Sequence, residues 1–243
     1  MPGTTWAVLA VLVFATFIRS AFGFGEALVA VPLLALIMPV DVAAPVAVLV
    51  SITVAAVIVV QDWRAVHFGS AAWLVVATLA GTPLGLLLLT RAPEAMVKVG
   101  LAVAIIAFSA YSLLRRPHAT LADNGLAWIF GLAAGVLGGA YGMNGPPLVV
   151  FGTLRGWSPQ EFRATLQAYF LPASAVVMAG YWFAGLWVPP VTRYYVMALP
   201  GIAAAILLGR VVNRRLDAHR FLMLVHGGLI MIGAILFAQA LGR

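Results

Sequence analysis

The chain has 243 residues, 64% of them hydrophobic and only 9% charged, with a mean hydropathy of +1.08, which excludes an ordinary water-soluble domain. Its net charge of +7 comes from basic residues scattered among loops, without a basic domain or an aromatic-basic surface, so nucleic acid is not the expected partner. The absence of cysteine excludes disulfides, thiolate metal sites and thiol catalysis.

Apolar runs between charge and turn clusters predict ten helical segments: 5–21, 27–38, 42–60, 69–89, 96–114, 126–140, 146–154, 162–182, 191–208 and 221–241. The fold class is therefore all-α, a polytopic helical protein whose first partner is the lipid bilayer. The first segment has no Lys or Arg before it, unlike a cleaved signal peptide, and is read as retained structure. The second and seventh are too short to span a hydrocarbon core of roughly 30 Å, so each is expected to form a broken or re-entrant hairpin with its predecessor.

Both hairpins carry a glycine-centred motif. Ala21 to Glu26 reads A-F-G-F-G-E, and Ala140 to Gly145 reads A-Y-G-M-N-G. A second echo lies at nearly the same offset, Pro39-Val-Asp41-Val-Ala-Ala44 against Pro159-Gln-Glu161-Phe-Arg-Ala164. These pairs divide the chain into repeats at 1–120 and 121–243, joined by a polar linker at 115–125. Five segments per repeat is an odd number, so the second repeat enters from the opposite face and the two are expected to be inverted.

Taking each segment as one crossing, Arg64, Arg115, Arg116, Arg155, Arg163, Arg210, Arg214, Arg215 and Arg220 fall on one side. Arg91, Arg193 and Arg243 fall on the other. The rich side is predicted to be cytoplasmic and both termini outside. The loop 90–95 then lies outside and its counterpart 210–220 inside, as inversion requires.

In the first motif, Gly23 and Gly25 permit dihedrals that free backbone N–H groups, and a helix beginning near Ala27 would aim its positive end at the loop. Tyr141, Gly142, Asn144 and Gly145 repeat the logic, with Pro146 and Pro147 suited to a first helical turn. Two helix N-termini converging in this way make a site for a small anionic substrate; the competing reading is close helix packing or a tight turn. Glu26, the acid beside the glycines, is a candidate proton carrier or a complement to a helix dipole. Arg19, one turn before Gly23, is a candidate anion binder, or else an arginine that snorkels or pairs with Glu26. Gln167 and Thr165, with Ser51 and Thr53 in the first half, offer neutral hydrogen bonds to substrate or simply from helix to helix. Asp41 and Glu161 read as helix caps, Ser158 and Glu161 having capping-box spacing.

The four histidines have no metal-ligand spacing, and neither hydrolase nor Walker motifs occur, so no cofactor and no metal are expected. The thin supply of ionisable residues within the spans argues against an enzyme. A passive anion channel stands as the rival to a carrier, and a homo-oligomer is compatible with the sequence.

Phe22 to Leu36 (F-G-F-G-E-A-L-V-A-V-P-L-L-A-L), Gly138 to Val150 (G-G-A-Y-G-M-N-G-P-P-L-V-V) and Leu154-Arg-Gly-Trp157 resemble the TauE/SafE family of sulfite and organosulfonate exporters over essentially the whole chain. The resemblance implies a bacterial inner-membrane transporter of two related helical halves, moving sulfite, sulfoacetate or other sulfonates together with protons. The family's two glycine-rich signatures fall on Gly23 and Gly25 and on Gly142, Asn144, Gly145, Pro146 and Pro147, and Phe22 beside the first is counted with the substrate-binding candidates. Glu26 and Asn144 stand where related signatures carry small residues.

Overall fold

A computed structural model of the chain describes residues 2–62, 66–114, 121, 124–213 and 218–241. Among these residues the helices are α1 Pro2–Phe22, α2 Glu26–Ala35, α3 Val40–Asp62, α4 Phe68–Arg91, α5 Glu94–Leu114, α6 Ala127–Tyr141, α7 Gly145–Leu154, α8 Pro159–Phe183, α9 Pro189–Asn213 and α10 Ala218–Leu241. All ten predicted segments are present. The apolar run predicts a ninth segment ending at Leu208, but α9 runs on through Arg210, because arginine is a good helix former although its charge ends the apolar run. Conversely α2 stops at Ala35, short of the predicted Met38. The N–H groups of Leu36, Ile37 and Met38 turn back onto the carbonyls of Leu33 and Leu34 just before Pro39, which disfavours helix in the residue ahead of it. Most of the predicted linker, with Arg64, Arg115, Arg116, Arg214 and Arg215, lies outside the described residues.

Among the described residues, five helices are long and apolar enough to cross a membrane: α1, α3, α4, α5 and α9. Their outer faces carry Trp6, Leu84, Leu87, Val103, Leu207 and others in the open, a surface that water would not tolerate and lipid would. Trp73 packs against Trp128 near the starts of α4 and α6, and Trp182 against Trp187 between α8 and α9. Such amphipathic rings suit the two edges of a bilayer.

The packing interlaces the halves of the chain: α1 lies against α9, α6 against α4, α3 against α8, and α5 against α10. The α4–α6 seam is backbone on backbone. Gly81 and Gly85 of α4 face Gly131, Gly135 and Gly139 of α6 so closely that an added Cβ would overlap main-chain atoms across the seam. On the other side of the molecule Gly209 of α9 takes the same approach to Phe17, Ser20 and Ala21 of α1. The short helices sit inside this frame. α2 packs on α1 and α3, α7 packs on α6 and α8, and the two touch each other.

Candidate functional site

The site begins at the break between α1 and α2. Gly23 and Gly25 have φ of 86° and 98°, left-handed values that end one helix and redirect the chain into the next. Gly25 is the N-cap of α2 and brings no side chain, so the N–H groups of its first turn stay uncapped by any side chain. The second break differs in its chemistry. Gly142, with φ 67°, closes α6, its N–H and that of Met143 returning to the carbonyls of Gly138 and Leu137. Asn144 is the N-cap of α7 but makes no side-chain cap, and Pro146 and Pro147 remove two of the first N–H donors. The two N-termini do converge, since Gly25 to Leu28 and Met143 to Pro146 line one cavity, but the donors come mainly from α2.

Arg19 is fixed at the centre. Its Nη1 donates to Glu26 Oε2 at 2.7 Å and to Ser51 Oγ at 2.7 Å, and its Nη2 and Nε donate to Gln167 Oε1 at 2.7 and 3.3 Å. Gln167 is held in turn by donating Nε2 to the Gly23 carbonyl at 2.6 Å. The guanidinium carbon lies 4.8 Å from the centre of the Phe170 ring, within cation–π range. Arg19 and Glu26 are each 2% exposed. The arginine therefore does not snorkel; it pairs with Glu26 inside the protein. A buried pair of this kind keeps two charges that would otherwise be prohibitive, provided each stays partnered.

The cavity beside this network has a volume of about 20 Å³. Its polar wall is Arg19, Glu26, Ser51 and Asn144; its apolar wall is Phe24, Phe108, Met143 and Phe170. Of the polar atoms of its lining residues, Glu26 Oε1 has no hydrogen-bond partner although the side chain is buried, and the buried Asn144 amide lies beside the Tyr169 hydroxyl. A buried carboxylate oxygen is ordinarily hydrogen-bonded, so this one has acceptor capacity left for a water or a bound ligand.

Of the residues named from sequence, Arg19, Gly25, Glu26, Ser51, Asn144, Gly145 and Pro146 line the cavity, and Gln167 supports it through Arg19. Gly23 contributes its carbonyl. The others lie elsewhere. Tyr141 is buried with its hydroxyl against Gly100 of α5, Gly142 abuts Ala44 and Val48 of α3, and half-buried Phe22 packs into the core. Thr53 bonds to the Tyr195 hydroxyl, and Thr165 accepts from the His67 N–H. Sequence reasoning missed the aromatic wall. Phe170 was within reach of it, one helical turn after Gln167 on the same face of α8.

At the far end of α8, Ser158 and Glu161 form the predicted capping box, Glu161 N donating to Ser158 Oγ at 3.3 Å and Ser158 N to Glu161 Oε2 at 2.9 Å. Hydrogen bonds from Ser158, helped by one from His67, hold the exposed Glu161 carboxyl below its ordinary range. His67 also stacks on Trp157, with ring centres 5.7 Å apart.

The family model described as "Sulfite exporter TauE/SafE" covers residues 8–236. No curated protein and no solved structure matches the chain.

Proposed function

The chain belongs to the TauE/SafE family of sulfite exporters, and from that membership we propose that it is a secondary transporter for a small sulfur oxyanion, sulfite or an organosulfonate, coupled to protons. It is an integral, multi-pass membrane protein of a transporter family and not an enzyme. We place it in the bacterial inner membrane, with the arginine-rich loops in the cytoplasm.

The observation that carries this reading is Arg19, a guanidinium buried among hydrogen-bonding partners beside a cavity at the start of a broken helix. An arginine fork and uncapped N–H groups are the chemistry that binds an oxyanion. Glu26, on the same cavity, is the proton carrier. Alternating access is the proposed cycle, with α2 and α7 as the moving parts. In support of a two-fold repeat, matching each helix of 1–120 to its counterpart in 121–243 turns the α1–α9 contact into α6–α4 and leaves α3–α8 and α5–α10 unchanged. A passive channel, the rival reading, would equilibrate the anion without accumulating it and without dependence on Glu26.

The experiment is a binding screen on purified protein, following thermal stability with sulfite, sulfate, sulfoacetate, taurine, thiosulfate and small carboxylates at two pH values. A bound ligand raises the apparent stability of the folded state by mass action. Selective stabilisation by sulfite or a sulfonate is the expected result. A response to carboxylates or neutral solutes alone would assign the pocket to another substrate class.

A further inference from the structure

Neither edge of Arg19 is clear, since four of its five N–H groups have acceptors. One edge is taken by Glu26 and Ser51, the other by Gln167, and Phe170 covers a face. An oxyanion that takes both N–H groups of one edge must displace one of these partners. The cavity points the same way, because about 20 Å³ is room for a water and not for a tetrahedral oxyanion.

Charge decides which partner leaves. If the neutral Gln167 gave way, one buried arginine would face two anions. If an ionised Glu26 gave way, its carboxylate would be left buried and unpaired, which is strongly unfavourable. Only a neutral Glu26 can release Arg19 without stranding a charge. The group is built for that exchange: one carboxylate oxygen holds Arg19, while the other, Oε1, is buried without a partner at the cavity's edge. Glu26 is also the first residue of α2, so removing its charge frees the positive end of that helix and its uncapped N–H groups for the incoming anion.

We propose that Glu26 is a tethered counter-anion that occupies the substrate's seat on Arg19 and must take up one proton before the anion can sit there. This rests on the transporter reading of the same cavity. The empty site is then neutral, as the ion pair, and so is the site holding a monoanion beside protonated Glu26. The site with anion but no proton carries one negative charge, and with proton but no anion one positive charge; both are disfavoured away from water. Coupling follows from excluding those two states.

Among the described residues the charged side chain meeting Glu26 is Arg19. Of the other elements around α2, α3 brings Ser51 to the site and carries Asp41 in its first turn, and α5 carries Glu94 and Lys98, paired to each other. His226 of α10 lies against the Phe108 ring, and α7 has no titratable side chain.

The test uses purified full-length protein and methanesulfonate, a monoanion that does not itself titrate near neutrality. Calorimetry in buffers of different ionisation enthalpy reads affinity and proton uptake together. The wild-type protein should take up about one proton per anion bound at high pH and lose affinity by about tenfold per pH unit there. Glu26→Gln, neutral and unable to hold the seat by charge, should bind about tenfold or more tightly at pH 8, with no proton uptake and a flat pH dependence. Binding to the wild type without proton uptake would overturn this inference while leaving the anion site standing, and it needs no variant to fold. Equal or weaker binding by folded Glu26→Gln would overturn it likewise. Failure of methanesulfonate, sulfite and sulfoacetate to bind wild type at any pH would sink the anion site and this inference together.

Discussion

Arg19 Nη1 and Glu26 Oε2 lie 2.7 Å apart across the break between α1 and α2, an ion pair both of whose side chains are closed to solvent. The pair is at once the strongest candidate for substrate chemistry and a structural obligation, because neither charge can be left alone in that place.

Replacing Arg19 with Gln should therefore do two separable things. It should abolish anion binding, and it should destabilise the protein by about 3–5 kcal/mol through the stranded carboxylate. The double variant Arg19→Gln with Glu26→Gln should recover most of the stability and none of the transport. Thermal unfolding in detergent, read beside flux, checks both; a single variant as stable as wild type would mean the pair is not held as described.

The two glycine breaks should differ in tolerance. A Cβ at Gly25 would meet only Ile18 Cγ2 at 3.5 Å, so Gly25→Ala bears mainly the left-handed strain, about 1–2 kcal/mol. At Gly142 the same strain is joined by a Cβ 2.8 Å from Val48 Cγ2 and 3.1 Å from the Ala44 carbonyl oxygen. Gly142→Ala should be clearly the more damaging, and equal losses in thermal stability would argue against this account of the second break.

The α4–α6 seam should reject any side chain. Gly135→Leu should cost about 3 kcal/mol or more, the upper end of overpacking losses, or prevent folding. Gly228→Ala, at a position with nothing within 4 Å, should instead gain about 1 kcal/mol from helix propensity. Measuring both in one thermal series sets the seam against an open helical glycine.

Topology is testable because the natural chain lacks cysteine. Arg91 and Arg193, both exposed, should label from outside as cysteines, and exposed Arg210 only after the cytoplasmic side is opened. Lys98, although on the same side as Arg91, is a poor reporter, since it is buried against Glu94 at 2.8 Å. The reverse labelling pattern would invert the proposed orientation.

The capping box gives a pH dependence. Because Glu161 is held below its ordinary range, its contribution to stability is fully present above the unfolded carboxylate's pKa and fades as pH falls through the lower folded value. Ser158→Ala should cause a small loss of stability and shrink that acid-side fade. An unchanged acid limb in the unfolding profile would assign the box no role in it.

Much of this was legible in the chain. Hydropathy located the helices, and Arg19, Gly25, Glu26, Asn144 and Gly145 stood out because polar and glycine residues inside apolar runs need a reason. What was not legible depends on contacts between distant segments. Nothing local says that Phe108 comes round from α5 to face Phe24 and Phe170, or that Tyr141 turns its hydroxyl towards Gly100 instead of the cavity. Nothing local pairs the glycines of α4 with those of α6; the seam exists only where the two faces meet. Asn144 resembled Glu26 by position, yet the two prolines after it leave the second break with fewer donors than the first.

The most direct test is flux against a gradient. Wild-type protein in liposomes, given acid outside and a neutral lumen, should accumulate labelled methanesulfonate above its external concentration; Arg19→Gln should not, and Glu26→Gln should lose the dependence on the pH gradient. Equilibration that stops at the external concentration whatever the pH gradient would identify a passive pore, and no movement of sulfite or any sulfonate would contradict the account at its centre.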